Sequence, residues 1–519
     1  MKKKFNVTGL CIPNKHYVAD VSKKLGKTYN MVADGDYFII NRPRQYGKTT
    51  MLYNLSESLS TSEEYMVFNI SFEGIGDDIF KEEAVFSEGF VDILATYAEY
   101  KIPTVASWLH ESKNAVNSLK SLSSLITKLV IKADKKIVLL IDEVDKSSNN
   151  QLFVSFLAML RNKFLSREDI KTFHSVVLAG VHDVKSLKLK LRPDEESKYN
   201  SPWNIASAFT VDMNLQPEEI KSMLDEYATD KGVEMDTQEI ADKLFYYTSG
   251  YPFLVSSLCK IYDEEILLTK TNLQWTTEDV DATLVKITKE SNTNFESLIK
   301  NLEENNELYA LVFRQLIEVE ILQYSIFDPV IQLGLMHGVL KNGKEITVHN
   351  KIYEEVIYDY MLSKTSSKIS LQNYNVNKGY RLPNSEFNIE LVLLKFQAFM
   401  RDQYSQKDRD FLEKNGRLVF LAFIKPIING SGYDFKEVQI SEERRLDVVI
   451  TYFNYKYVAE LKIWRGQAAH EEGLNQLSDY LNRQALKVGY LLIFDHANTK
   501  TWTSEWIEWQ DKKIFVVWV

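Results

Sequence analysis

The sequence predicts a multi-domain α/β protein, and three observations carry that prediction. The chain has 519 residues, more than one core holds. Apolar strands alternate with amphipathic helices through residues 1–215, the pattern of a parallel sheet covered by helices on both faces. A second, shorter set of strands surrounds a helix in residues 386–519, the pattern of a small mixed α/β sheet.

The elements follow in order. DYFIIN (36–41) has a buried-strand pattern and is followed by RPRQYGKTT (42–50) and a helix over MLYNLSESLS. YMVFNISF (65–72) predicts a second strand, and residues 80–132 are mainly helical. KKIVLLIDEVD (135–145) predicts a third strand, apolar on both faces as in a covered parallel sheet. After a helix over LFVSFLAMLRNKF come a fourth strand, FHSVVLAGVHD (173–183), and a fifth, FTVDMNL (209–215). PEEIKSMLDEYATDKG begins with proline and acids and stops at Gly232, a helix with both end signals. The chain stays largely helical through TSGYPFLVSSLCKIY and closes on strand-like pieces in EITVHNKIYEEVIYDYML. Residues 216–365 thus predict a helical lid and a winged-helix-like region. Residues 366–385 are polar and aperiodic and predict a linker. FNIELVLLKFQAFM then opens the last domain as an amphipathic helix.

Composition bounds the function. The chain is 45% hydrophobic and 26% charged, ordinary for a globular protein, and 10 prolines and 20 glycines argue against long disordered linkers. Two cysteines, Cys11 and Cys259, make neither a disulfide framework nor a zinc site and lead us to expect a reducing, cytoplasmic setting. MKKKFNVTGL lacks the apolar segment of a signal peptide, and no apolar run approaches the ~18 residues of a membrane span. A net charge of −10 disfavours coating nucleic acid with the whole surface but leaves room for a local basic groove.

Two constellations carry chemistry. Tyr46, Gly47, Lys48, Thr49 and Thr50 sit between a strand and a helix, where backbone N–H groups cradle phosphates. With Arg44 and Gln45 they form a candidate ATP-binding loop. Lys48 would reach the β and γ phosphates and Thr49 would ligate Mg²⁺. Arg42 stands where the pattern GxxxxGK[ST] has its first glycine, so Arg42-Pro43-Arg44 would replace flexibility with charge. LLIDEVD (139–145) ends an apolar strand in Asp142 and Glu143. Asp142 would hold the magnesium through water and Glu143 would polarise the attacking water. His182 is a candidate γ-phosphate sensor and Arg192 a candidate arginine finger across a subunit boundary, compatible with a homo-oligomer. Gly250-Tyr251-Pro252 would lie over the adenine or simply break a helix, and His16 and Tyr17 are candidates for stacking on the base.

The second constellation is LDVVITYFNYKYVAELK (446–462). Glu460 and Lys462 point to one strand face, and a hairpin would bring Asp447 beside them. Asp447 and Glu460 would hold Mg²⁺ or Mn²⁺, with Glu437 as a further ligand or water-orienting acid. Lys462 would orient the water and offset charge at a phosphate. RGQAAHEEGLNQLSDYL (465–481) predicts a helix that presents Gln476 to the site and places Tyr480 on the same face. KVGYLLIFDH (487–496) and KKIFVVWV (512–519) predict the closing strands.

INRPRQYGKTTML, LLIDEVDK, RPDEESKYNSPWNIA and SGYPFLVS together resemble the bacterial AAA-ATPase-like family of P-loop proteins, close to archaeal and STAND-type ATPases. The segment from Arg444 to Leu481 resembles the PD-(D/E)XK nuclease-like domain that often follows such an ATPase. The resemblance implies a P-loop NTPase sheet, nucleotide and magnesium binding at the first site, and a metal-dependent nuclease at the second. In that family the arginine-proline variant at Arg42 is itself usual. The ATPase–nuclease pairing implies a role in phage defence or mobile-element biology. Two function classes therefore fit. One is an ATP-regulated nuclease that cuts DNA, with RNA left open as substrate. The alternative is a nucleotide-switched sensor or partner-binding module whose nuclease-like domain does not cut. A helicase-like motor is disfavoured because the chain has no tandem motor domains.

Overall fold

A computed structural model describes residues 2–144, 151–181, 203–317, 321–325, 327–343, 345–366, 387–403, 416–424, 432–433, 439–441, 444–445, 448–452, 455–495 and 502–519. The chain divides into two compact units, Met1–Tyr309 with Leu322–Glu355, and Ala310–Ile321 with Val356–Val519. His182, Asp183, Arg192, Glu437, Asp447 and residues 367–385 of the expected linker lie outside the described residues. Among the described residues no helix is long and apolar enough to cross a membrane.

The first unit is built on a four-stranded parallel sheet in the order β1-β4-β3-β2, with β1 at Tyr37–Asn41, β2 at Tyr65–Ser71, β3 at Lys136–Asp142 and β4 at Ser175–Gly180. Its strands read as continuous apolar runs because helices cover both faces, and β3 is buried from Ile137 to Asp142. Helices α1 (Ser22–Ala33), α2 (Lys48–Ser60), α3 (Glu83–Lys101), α4 (Pro103–Ser112), α5 (Leu119–Ala133) and α6 (Gln151–Leu165) alternate with these strands. The main core joins Phe68, Phe86, Phe90, Leu139, Phe156 and Leu178. The P-loop α/β architecture expected for the first part is what the sheet has.

The expected fifth strand is absent. Residues 209–215 make no ladder; just before them Ser207 forms a parallel bridge with Phe38, and Phe209 stacks on the Phe38 ring. The Val211 carbonyl is taken by the Arg42 guanidinium at 2.9 Å, and Asp212 accepts the Asn214 amide at 3.0 Å. Side chains hold these two groups, and the Leu215 N–H goes to the Gly250 carbonyl at 2.8 Å.

Helices α7 (Pro217–Lys231), α8 (Thr237–Thr248), α9 (Pro252–Ile261), α10 (Thr277–Ile287), α11 (Thr293–Glu304) and α12 (Asn306–Leu316) follow. Then come β5 (Leu322–Gln323), α13 (Pro329–Met336), β6 (Leu340–Lys341) and β7 (Glu345–Val348), the strands forming an antiparallel sheet in the order β5-β7-β6. The strand-like reading of 345–362 is corrected in its second part. Only Glu345–Val348 of that stretch is strand, and Lys351–Ser366 is helix α14. Asn350 caps it by accepting the Tyr353 N–H at 2.9 Å, and Ile352, Tyr353, Ile357 and Met361 are buried at helical spacing.

In the second unit, helix α15 (Ile389–Gln403) is followed by a helical stretch at 416–424. β8 (Gly432–Tyr433) comes next, then β9 (Gln439–Ser441) and β10 (Arg444–Arg445), an antiparallel pair of their own. β11 (Val448–Tyr452), β12 (Tyr455–Ile463), helix α16 (Gln467–Arg483), β13 (Val488–Phe494), β14 (Ser504–Trp509) and β15 (Lys512–Trp518) complete the chain. Six strands form a mixed sheet in the order β14-β15-β13-β12-β11-β8. β12, β13 and β15 run parallel, and β11 forms an antiparallel hairpin with β12. Leu474, Leu477 and Leu481 of α16 cover Leu491, Ile493 and Val516 of the sheet.

Candidate functional site

The phosphate loop leaves β1 at Asn41 and becomes α2 at Lys48. Gly47 caps the helix at φ +78°, a left-handed conformation that favours glycine. Gln45 takes the same region at φ +58° without that freedom. The Lys48 ammonium folds back on the loop and donates to the carbonyls of Arg42 (2.9 Å) and Pro43 (2.8 Å). The Thr49 hydroxyl donates to Asp142 Oδ2 at 2.7 Å, so the loop meets the end of β3 across β4. Asp142 Oδ1 accepts the Glu143 N–H at 2.9 Å, and Glu143 sits at φ +56°. Six predicted residues, Arg44, Gln45, Gly47, Lys48, Thr49 and Tyr46, are contiguous here, and Asp142 and Glu143 come to the same end of the sheet. Thr50 is tied elsewhere, its hydroxyl accepting the Cys11 amide at 3.2 Å.

Arg42 is not loop charge. Its guanidinium is bonded to the Asn41 and Val211 carbonyls and lies 5.4 Å from the Phe209 ring centroid. The exposed cation in the loop is Arg44.

The middle of the loop is gripped by residues far along the chain. Gln45 donates to Thr293 Oγ1 (3.2 Å) and accepts from Asn294 Nδ2 (2.9 Å), and Tyr353 donates to Asn294 Oδ1 at 2.7 Å. Tyr251 packs its ring 4.6 Å from that of Tyr46 and donates its hydroxyl to the Arg44 carbonyl at 2.6 Å. The Tyr46 hydroxyl bridges Asn214 Oδ1 and His349 Nε2. The proton positions follow from the neighbours. Asn350 Oδ1 accepts the Tyr353 N–H, so Asn350 Nδ2 donates to His349 Nδ1 at 3.3 Å. His349 Nε2 therefore carries the proton and donates to Tyr46 at 2.8 Å. Asn214 Nδ2 donates to Asp212, leaving its Oδ1 to accept from Tyr46. Burial pushes His349 down to about 3, with Lys341 adding to the shift, so it is neutral.

Sequence reading missed this grip. SGYP was its one local signal, but Tyr251 is buried against the loop. The candidate stackers fare differently from expectation. Tyr17 is closed into an aromatic cluster with Phe5 and Tyr227, and His16 Nδ1 accepts the Ile12 N–H at 2.9 Å.

In the second unit the β11–β12 hairpin pairs Val448 with Ala459. Glu460 follows Ala459 and is 3% exposed. The Lys462 ammonium lies 3.0 Å from Glu460 Oε1 and 2.9 Å from Gln476 Oε1 on α16. Gln476 in turn donates toward Glu472 Oε1 at 3.4 Å. Gly473 makes room for this arrangement, because a Cβ there would lie 3.3 Å from Lys462 Cγ and Cε. Among the described residues no three His, Cys, Asp or Glu side chains converge, and Asp447 and Glu437 lie outside them. Tyr480 is buried in the core between α16 and the sheet.

A parallel sheet whose first strand feeds a lysine-bearing loop, with Thr49 bonded to an aspartate two strands away, defines a P-loop, ATPase-like nucleotide-binding domain. More particularly, the chain belongs to the AAA-like domain family, whose model matches residues 13–358. Among solved structures, the Walker-type ATPase PABY2304 of Pyrococcus abyssi is similar over 68% of this chain and 99% of its own, at 11% identity and a TM-score of 0.47. The ORC2 protein of Aeropyrum pernix is similar over 66% and 94%, at 13% identity and 0.37. The RuvB Holliday junction branch migration motor of Thermotoga maritima is similar over 66% and 95%, at 17% identity and 0.34. Likenesses this remote carry no functional inference. No curated protein matches the sequence.

Proposed function

We propose that the chain is an ATP-hydrolysing switch whose second unit is a PD-(D/E)XK-like, metal-dependent nuclease acting on DNA. The observation that carries the first half is the Thr49–Asp142 bond at 2.7 Å beside the Lys48 ammonium. A hydroxyl and a carboxylate so placed are the donor set a hard cation takes, so these residues fit Mg²⁺. When bound, the ion neutralises phosphate charge. Thr49 and Asp142 would hold it, and Arg44 and the N–H groups from Gln45 to Thr50 would meet the phosphates. Lys48 exchanges the Arg42 and Pro43 carbonyls for phosphate oxygens. Glu143, at the end of β3, orients the attacking water.

The nuclease half rests on a buried carboxylate, Glu460, held by an ammonium that Gln476 orients. A lone exposed ion pair would mean little, but a carboxylate 3% exposed costs several kcal/mol unless it has partners or a role. Asp447 precedes the Val448 that pairs with Ala459, and we assign it, Glu460 and Glu437 to Mg²⁺ or Mn²⁺. When bound, the metal polarises water and offsets charge at the scissile phosphate. Lys462 holds the water in line. A second reading, a switched module that does not cut, is favoured by the net charge of −10.

The test is ATP hydrolysis and plasmid cleavage with Mg²⁺ or Mn²⁺, comparing wild type, Lys48→Ala and Glu460→Gln. We expect Lys48→Ala to lose hydrolysis and Glu460→Gln to lose cleavage alone. Cleavage that survives Glu460→Gln unchanged sinks the nuclease assignment, and its absence in wild type favours the non-cutting module.

A further inference from the structure

The Glu460–Lys462 row does not end at Lys462. The ladder with β13 continues one residue past β12, because the Trp464 N–H donates to the Phe494 carbonyl at 2.9 Å. Trp464 therefore keeps the alternation and falls on the same face as Glu460 and Lys462, about 7 Å beyond the lysine. Helix α16 follows the row in the opposite sense. Gln476 and Gly473 stand at Lys462, and His470, in the first turn, stands at Trp464. Trp518, at the end of β15, completes a triangle. Ring centroids are 4.9 Å apart for Trp464 and Trp518, 5.8 Å for Trp464 and His470, and 5.9 Å for His470 and Trp518.

Trp464 and Trp518 pack against the edge of this unit's core, and three properties describe the side of the cluster that stays open. All three side chains are partly exposed, whereas Leu474, Leu477 and Leu491 beneath are closed from solvent. The rings are tilted by 57°, 59° and 35°, so none covers another's face completely. Burial holds His470 below its ordinary range, with Glu471 and Glu505 opposing, so it presents a neutral ring rather than a cation. Arg465, next to Trp464 in the chain, is exposed, and the carboxylates of Glu471 and Glu505 act on His470.

We propose that Trp464, His470 and Trp518 form a base-stacking platform for an unpaired nucleic-acid strand, one extended nucleotide away from the Glu460–Lys462 pair. Every base has a π-face, so such a platform is sequence-tolerant, and it selects single strands because a paired base is already stacked. The inference deepens the nuclease reading and rests on it for its consequence. The strand held at Trp464 is the one whose backbone passes Lys462, which makes the substrate a single-stranded end or gap rather than an intact duplex.

The test is binding by the full chain, in EDTA, of labelled oligo(dT), oligo(U) and a blunt duplex of equal length. Trp464→Leu and Trp518→Leu keep apolar bulk and remove the ring, and Trp464→Phe keeps a ring. We expect each leucine variant to weaken single-strand binding about tenfold and leave duplex binding unchanged, with Trp464→Phe close to wild type. The oligo(dT) and oligo(U) arms distinguish DNA from RNA as the strand held. The proposal is overturned if wild type binds neither oligonucleotide, if the leucine variants bind as wild type does, if single-strand and duplex binding fall together, or if phenylalanine loses as much as leucine. Glu460→Gln, assayed for cleavage with Mn²⁺, separates the two readings. Trp464-dependent binding without any cutting leaves the platform standing and removes the nuclease. Glu460-dependent cutting without Trp464-dependent binding does the reverse.

Discussion

Replacing Tyr46 by phenylalanine tests the grip on the phosphate loop with one atom. The ring stays, so its packing 4.6 Å from Tyr251 is kept. The hydroxyl that bridged His349 and Asn214 is gone. Asn214 is half-buried and regains water. His349 is 5% exposed and its Nε2–H is stranded. A buried donor left without a partner costs about 1–3 kcal/mol, so we expect a loss near 2 kcal/mol. The assay is urea unfolding, read as a midpoint shift at unchanged slope. A double-mutant cycle with His349→Phe isolates the bond. The double variant has no stranded imidazole, so it should cost less than the sum of the singles by about 1–2 kcal/mol. Additive singles, or a Tyr46→Phe loss below about 0.5 kcal/mol, would refute the bond as a determinant of loop position.

Three further outcomes are expected. His349 has a folded value of about 3 against an ordinary 6.5, so the unfolded chain takes up a proton that the folded chain declines. Stability from this group is whole above pH 6.5 and is lost as pH falls toward 3, at most about 1.4 kcal/mol per unit, and His349→Gln should flatten the urea midpoints between about pH 6 and 5. Gly250→Ala should destabilise by more than ~3 kcal/mol in thermal melts, because its Cβ would lie 2.1 Å from the Leu215 carbonyl oxygen at a φ of +73°; a near-native melt contradicts the geometry. Thr49→Val removes the 2.7 Å bond to Asp142 at a stability cost of about 1 kcal/mol, and should lower magnesium-dependent ATP hydrolysis about tenfold or more; unchanged hydrolysis argues against Thr49 as a ligand.

What the sequence made legible was local. The loop could be read because strand, loop and helix are contiguous, and β3 because a parallel strand covered on both faces is apolar throughout. Residues 209–215 show the limit. Val211, Met213 and Leu215 are buried in alternation as a strand pattern predicts, yet no ladder forms: Arg42 holds the Val211 carbonyl and the Gly250 carbonyl takes the Leu215 N–H. Pattern reported burial and said nothing about where backbone hydrogen bonds go. Residues 351–362 misled through their Ile, Tyr and Val content, whereas the Asn350 cap decides for helix. β14 went unread because most of SEWIEW is exposed on this edge strand, leaving no apolar period to detect. The meeting of Lys462 with Gln476 was legible from strand alternation and helix position. The slot at Gly473 was not, because it depends on how closely α16 approaches β12.

The grip on the loop was illegible for the same reason, and it also explains the loop's economy. The partners of Tyr46 lie 168 and 303 residues away in sequence. They hold Gln45 and Tyr46 while Gln45 sits in the left-handed region, a conformation costing about 1 kcal/mol or more for a residue with a Cβ. Two side-chain bonds from Thr293 and Asn294 offset that cost during folding. The loop backbone at Gln45 and Tyr46 is thus held by contacts from within the protein itself. What remains for a phosphate is to displace one flexible ammonium from two carbonyls, at Arg42 and Pro43. Affinity for nucleotide should then depend on residues that never touch it, and weakening Asn294 or His349 should loosen nucleotide binding through the backbone they hold.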